Sequence, residues 1–399
     1  MKPTTVRGCS RLTLESLENR ELLSATTLSM SPSVGSTSSL LAPALLATSG
    51  NPDSSGVTKG PGYEYYRYGN QLPAAATLTP TPGLALDGGG GDIDALFAWM
   101  GAKANGGDFL VLGATGNGYY DPYIYKLNRA HPLNSVATLL ITSLDASSGR
   151  SQDFIVDTIS KANAIFIEGG DQSTYWRLWQ GPIQTAINDA VNARHVPIGG
   201  TSAGLAVLGQ YIFSAENGTA YSNTVLANPY DASVTLRKDF LDVPLLQNTI
   251  TDTHFYERDR MGRLVTFMDR LVTDYNTPAT GTKGIGVDAD TALLVDLAGG
   301  PTSPAYGNTL VVGNSSKDPV ARHAYFLETD HFKMYTSSST TSFATNPIHV
   351  HKAGIGDTFN LNTLWTAMIG RSSFDASDYT VIAFWATLES TQKPNKAIY

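Results

Sequence analysis

From about Pro80 onward, apolar strand-like runs alternate with segments of helical period, and glycines fall where the strands end. No other feature of the 399-residue chain narrows the fold as much. Leu84-Ala85-Leu86 runs into Asp87-Gly88-Gly89-Gly90-Gly91, after which Ile93, Leu96, Phe97 and Met100 recur at helical spacing. Further strands are expected at Phe109 to Leu112, Val136 to Ile141 and Ala164 to Ile167, with Phe154, Ile155 and Ile159 on one helix face between the last two. Ile183, Ile187 and Val191 mark another helix, and Val196-Pro197-Ile198 a short strand that ends at Ser202. The pattern predicts a three-layer αβα fold with a mostly parallel sheet, whose ligands bind beyond the carboxyl ends of the strands. Hydrophobic residues make up 42% of the chain and charged residues 16%, with 38 glycines, which suits a buried sheet with tight turns.

Three segments follow. Residues 1–77 are rich in Ser, Thr, Pro, Gly and Ala and are expected to be a disordered leader and linker; residues 78–300 form the catalytic domain; residues 301–399 form a β-rich C-terminal extension. Strands are expected at Thr291 to Val295, Thr309 to Val312 and His323 to Leu327. The formal net charge of −8 and the absence of a basic stripe argue against nucleic acid as a partner. The single cysteine, Cys9, lies in the leader, which rules out a thiol nucleophile in the body. No apolar run reaches the roughly 18 residues of a membrane span.

Gly200-Thr201-Ser202-Ala203-Gly204 matches G-x-S-x-G in the context the motif needs, an apolar strand before and Leu205 to Leu208 as a helix after. Its glycines allow a turn sharp enough to project the serine oxygen, and the backbone N–H groups at the helix start can face a developing oxyanion. A serine hydroxyl is a weak nucleophile and needs a base. Of seven histidines, His254 is placed best, because a strand from Asn248 to Thr251 ends in Asp252-Thr253-His254-Phe255. Arg258, Arg260 and Arg263 follow beside it, suited either to a substrate carboxylate or to a solvated helix face. Asp87 to Asp92 fits a tight turn better than a phosphate cradle, and His349-Val350-His351 lacks a third ligand at a familiar spacing. No cofactor and no metal is expected.

Glu168-Gly169-Gly170-Asp171-Gln172, Gly200 to Gly204, and Asp252-Thr253-His254-Phe255 with Arg258, Arg260, Gly262 and Arg263 together resemble the cyanophycinase family of serine peptidases. Gly284-Ile285-Gly286-Val287-Asp288 follows in the same order. The resemblance spans roughly residues 80 to 298. It implies a fold like the class I glutamine amidotransferases and cleavage at aspartyl residues, including β-linked aspartyl-arginine. It also implies Ser202 as nucleophile, His254 as base, backbone N–H groups of Gly170 and Ala203 as oxyanion donors, and Gln172, Asp252, Arg258, Arg260 and Arg263 as substrate-binding residues. The expected partner is a peptide or poly-aspartate-type substrate, and the expected assembly a homodimer.

Two departures qualify the transfer. Where the family carries its triad glutamate this chain has Ala289, flanked by Asp288 and Asp290 as the candidate replacements. Thr253 replaces the glutamine common between the Asp and His. A catalytically impaired binding protein is therefore the alternative reading. An α/β-hydrolase esterase is disfavoured, because there the acid precedes the histidine. Leu17-Glu18-Asn19-Arg20-Glu21-Leu22-Leu23-Ser24-Ala25 resembles the LEPR-XLL type of N-terminal motif, with Asn19 in place of proline, which implies export to the envelope or exterior.

Overall fold

The computed structural model describes residues 55–278, 280–314, 321–329, 332–337, 340–345, 348–369 and 380–382. The motif at 17–25 lies outside them. The chain opens with the antiparallel hairpin β1 (Ser55–Gly60) and β2 (Tyr63–Gly69). It continues through β3 (Gly83–Asp87), α1 (Asp94–Lys103), β4 (Asp108–Gly113), α2 (Tyr120–Leu127), β5 (Ser135–Ile141), α3 (Gly149–Lys161) and β6 (Ala164–Ile167). Next come α4 (Gln172–Leu178), α5 (Pro182–Asn192), β7 (Ile198–Thr201) and the single turn α6 (Ala203–Ala206). Then follow β8 (Tyr211–Phe213), α7 (Ser222–Ala227), β9 (Leu236–Lys238), β10 (Thr249–Asp252), α8 (Met261–Tyr275), β11 (Lys283–Val287), β12 (Thr291–Asp296) and β13 (Thr309–Gly313). The last elements are β14 (His323–Thr329), β15 (Phe332–Ser337), β16 (Thr340–Thr345), β17 (Ile348–Gly354), α9 (Leu361–Ile369) and β18 (Thr380–Ile382).

The first sheet has the order β1-β2-β5-β4-β6-β7-β3-β12-β13. Its five central strands, β5 to β3, are parallel, as the strand–helix alternation predicts. Alternate side chains of each strand enter opposite cores. Leu84, Leu86, Leu110 and Leu112 meet Ile155 and Ile159 of α3 and Ile183 and Ile187 of α5 on one face. Ala85, Phe109 and Val111 meet Leu96, Phe97 and Met100 of α1 and Ile124 of α2 on the other. Helices on both faces make three layers.

The strand–helix pattern implied a single sheet, yet a second one lies alongside it, in the order β18-β17-β14-β11-β10-β8-β9. Its β8, β10 and β11 are parallel. One of its faces, with Ile212, Ile285, Val287 and Phe326, shares the core of the first sheet, while Ile250 and Leu327 point to Leu264, Phe267 and Met268 of α8 on the other. The short β8 and β9 carry too few residues to show a strand period.

Two stretches differ from the sequence expectation. Residues 55–69, assigned to the disordered leader, form β1 and β2, and β2 pairs antiparallel with β5. Tyr63 stacks on Phe154 at 4.7 Å between ring centroids, and Arg67 pairs with Asp108 at 2.9 Å with both side chains nearly buried. These partners are 41 to 91 residues away in sequence, so a local composition rich in Gly and Ser hid them. Beyond residue 300, β13 completes the first sheet through β12, and β14 joins the second through β11. Those strands therefore build into the same sheets as the strands before residue 300. No helix among the described residues is long and apolar enough to cross a membrane.

Candidate active site

Ser202 follows β7 of the first sheet and His254 follows β10 of the second, so the two sheets each deliver one member of a pair. Ser202 Oγ lies 3.0 Å from His254 Nε2. Ser202 adopts φ +49 and ψ −115, a conformation costly for a residue with a side chain, and His254 has φ +42. Such strain persists only where surrounding contacts impose it. Here the Ser202 N–H donates to the Asp87 carbonyl (3.1 Å), and the His254 N–H donates to the Gly88 carbonyl (2.8 Å). Both residues thus hang from the turn that ends β3. Gly200 can only be glycine, because a Cβ there would stand 2.5 Å from the Gly204 carbonyl carbon.

The glycine turn after β3 covers the pair. Gly89, at φ +95, lies so close that a Cβ built on it would stand 2.4 Å from His254 Nε2 and 3.1 Å from Ser202 Cβ. The Asp87 carboxyl accepts the Gly89 N–H at 2.9 Å and engages the Thr201 side chain, tying the turn to the residue before the serine. Asp290, at φ +54, holds the other end: its carboxylate accepts the Gly91 N–H and pairs with Arg322 Nη2 at 2.7 Å, and its own N–H donates to the Gly89 carbonyl. The sequence marked this stretch as a tight turn, and nothing local showed that it seats against Ser202.

α6 is one turn long and ends at Ala206, two residues before the expected end at Leu208, so its dipole is small and local N–H groups carry any anion binding. The Ala203 N–H opens that turn and lacks an intrahelical acceptor. Gly169 and Gly170 close the facing side. A Cβ on Gly169 would lie 3.4 Å from Ser202 Cβ, and Gly170 has φ +150. The Tyr175 hydroxyl donates toward the Glu168 and Gly169 carbonyls at 3.0 and 2.9 Å, fixing this strand end.

The charged residues after His254 divide in two. Asp252, Arg260 and Arg263 are buried. Arg263 grips Asp252 with two nitrogens, its Nε at 2.7 Å from Oδ2, while Arg260 Nη1 lies 3.4 Å from Oδ1 and donates to the Thr253 carbonyl at 2.8 Å. Burial acts to raise the Asp252 pKa, and Arg263, Arg260 and the Thr253 N–H outweigh it, holding the carboxyl below its ordinary value. Arg258, by contrast, is exposed, and Gln172 is half-buried with its amide 3.5 Å from the Phe213 carbonyl.

Asp288 and Asp290 stand in the turn between β11 and β12 rather than in extended strand. Asp288 accepts from the Tyr256 N–H (2.9 Å), the His323 N–H (3.0 Å) and the Tyr325 hydroxyl (3.3 Å). Among the described residues neither aspartate hydrogen-bonds His254. The Ala289 N–H instead donates to Glu257 Oε2 at 3.0 Å, and Arg322 Nη1 donates to the Ala289 carbonyl at 2.7 Å. Sequence reading passed over Glu257 and Arg322. No group of three or more His, Cys, Asp or Glu side chains placed to hold a metal occurs among the described residues, and His351 packs against Phe326 and Phe359.

Burial, followed by the charges of Arg258 and Arg260, pushes the His254 pKa down to about 3, so the ring is neutral at pH 7. Burial pushes several carboxyls the other way: Asp87, Asp269 and Asp288 up to about 7, and Asp121 and Glu168 up to about 8. Each of these five keeps its proton when folded at a pH where the unfolded chain, near 4, has released it. They therefore favour the folded state as pH falls from about 8 toward about 4. His254 works oppositely, since the unfolded imidazole protonates below about 6.5 while the folded one stays neutral. One histidine against five carboxyls leaves a rising melting temperature. Calorimetry from about pH 8 to about pH 5 is expected to show an increase of several degrees, and a decrease would contradict the assigned directions.

A serine on a strained strand-to-helix turn, hydrogen-bonded to a histidine and roofed by glycine backbone, defines the class as a serine hydrolase-type site on an α/β sheet. Residues 113–297 match the family model of Peptidase family S51, and over this stretch the chain is similar to cyanophycinase-like serine peptidases. It is 28% identical over 191 residues to the cyanophycinase of Geminocystis herdmanii, covering 45% of this chain and 63% of that one. It is 25% identical over 217 residues to the cyanophycinase of Synechococcus elongatus, covering 53% and 57%. The chain thus spans less than two thirds of the length of these relatives. Among solved structures, a peptidase from an acI-B1 Actinobacterium aligns over 70% of this chain and 97% of its own, with 14% identity and a TM-score of 0.41.

Proposed function

We propose that this protein is an exported serine-type peptidase that cleaves aspartyl or β-aspartyl peptide bonds, with β-aspartyl-arginine as the leading substrate. The observation that carries the reading is the 3.0 Å approach of Ser202 Oγ to His254 Nε2 on a strained turn. A neutral imidazole accepts the hydroxyl proton while Oγ adds to the scissile carbonyl. The N–H groups of Gly170 and Ala203 receive the oxyanion. Collapse expels the amine, which takes the proton from His254 and leaves an acyl group on Ser202, and water then repeats the sequence in reverse order. Arg258 and Gln172 are the less buried residues of the expected pocket, while Asp252, Arg260 and Arg263 brace the turn that carries His254. The relatives named cyanophycinase support this substrate class.

A second reading, a catalytically impaired protein that binds acidic peptides, is favoured by one specific observation. Among the described residues His254 has no carboxylate partner, and Ala289 stands where a triad glutamate is expected. Incubation with β-aspartyl-arginine peptides and with cyanophycin separates the two. The peptidase reading expects release of aspartyl products by the wild type and a loss of at least about a thousandfold in Ser202→Ala. Binding without turnover would leave the second reading.

A further inference from the structure

When His254 takes the serine proton, a positive charge forms in a site whose other charges oppose it. Arg258, Arg260 and Arg263 all disfavour the imidazolium, and Asp252, which favours it, is already matched by two of those arginines. A working base needs a further carboxylate. Three stand in or against the turn that carries Ala289. Asp288 is fully buried and accepts three hydrogen bonds. Asp290 is committed to the Gly91 N–H and Arg322, and releasing it would free the glycine turn above the serine. Glu257 is the least committed, being exposed, with one hydrogen bond to the Ala289 N–H and an Arg322 contact of 3.5 Å.

Glu257 also lies on the right piece of chain. The turn that starts at His254 is closed by the Arg258 N–H donating to the His254 carbonyl at 3.1 Å, which folds Glu257 back against the peptide of residue 289. That hydrogen bond holds the Glu257 carboxylate against the turn between β11 and β12. The charges around it are Arg322, Asp288, the Tyr325 phenol and neighbouring Arg258, and Asp288 and Tyr325 both feel its charge.

We propose that Glu257 is the positioning acid of this site, its carboxylate turning from the Ala289 N–H to His254 Nδ1 as the ring gains its proton. The inference rests on the Ser202–His254 reading above. It makes position 289 dispensable because the acid enters from the histidine's own turn.

The test uses the full chain with Glu257→Gln, Glu257→Asp, and Glu257→Gln combined with Ala289→Glu. Two readouts are taken: the rate of Ser202 modification by a fluorophosphonate, and the nitrogen-15 shifts of the His254 ring. Glu257→Gln is expected to slow labelling at least about tenfold and to mix the ring tautomers, with Glu257→Asp recovering part of the rate and Ala289→Glu restoring it in the Gln background. Labelling within about twofold of wild type with unmoved ring shifts would overturn the proposal. If the wild type takes no label, the nucleophile reading fails by itself, and the ring shifts of wild type against Glu257→Gln still decide the role of Glu257.

Discussion

Asp252→Ala is expected to destabilise the protein by about 3–5 kcal/mol, because it leaves two buried guanidinium groups without their anion. Arg263 and Asp252 each keep only 4% side-chain exposure, and Arg260 keeps 10%. The remaining contacts of Arg263, a hydrogen bond to the Ala220 carbonyl and the rings of Phe213 and Phe267, cannot neutralise it. Urea unfolding measures the loss directly, and the slope should stay unchanged while the midpoint falls. A change confined to KM with normal stability would instead make Asp252 a substrate contact, as the family resemblance implies, and would contradict the bracing role.

The second large effect is expected at Gly89. An alanine there needs φ near +95, which L side chains avoid, and its Cβ would stand 2.5 Å from His254 Cε1. The obstacle is a ring hydrogen-bonded to the nucleophile, so the ring or the glycine turn must move. A displacement of about 1 Å at a reacting pair costs on the order of a hundredfold in rate. Gly89→Ala is therefore expected to cut peptide cleavage and phosphonate labelling by at least about that factor. Rates within about tenfold of wild type would show that the turn lies farther from the pair than described.

These two positions mark where sequence reading stopped. Strands at Leu84 to Leu86, Phe109 to Leu112, Val136 to Ile141 and Ala164 to Ile167 were legible because buried parallel strands are short apolar runs between turn residues. Ser202 and His254 were legible because each follows such a run at a glycine or turn signal. The turn after β3 was visible as a turn, but its contact with His254 joins residues 165 apart, which no local period encodes. Arg260 and Arg263 were read as pocket residues, and pairing with Asp252 eight and eleven positions earlier turns them inward. Neither spacing is a helical neighbour distance, so only the folded turn reveals the pair. The tyrosines of β2 carried a strand signal that the surrounding Gly and Ser masked, and their stacking on Phe154 is nonlocal. Ala289 was recognised as a missing acid, whereas the Glu257 contact with its N–H depends on the fold of residues 254–258.

The central claim is that Ser202 is a nucleophile activated by His254. Intact-mass analysis with peptide mapping after fluorophosphonate treatment near pH 7.5 tests it without assuming a substrate. The account predicts one adduct, on Ser202, absent from Ser202→Ala and formed at least about a hundredfold more slowly in His254→Ala. No adduct on the folded wild type, or an adduct that survives Ser202→Ala, would contradict it.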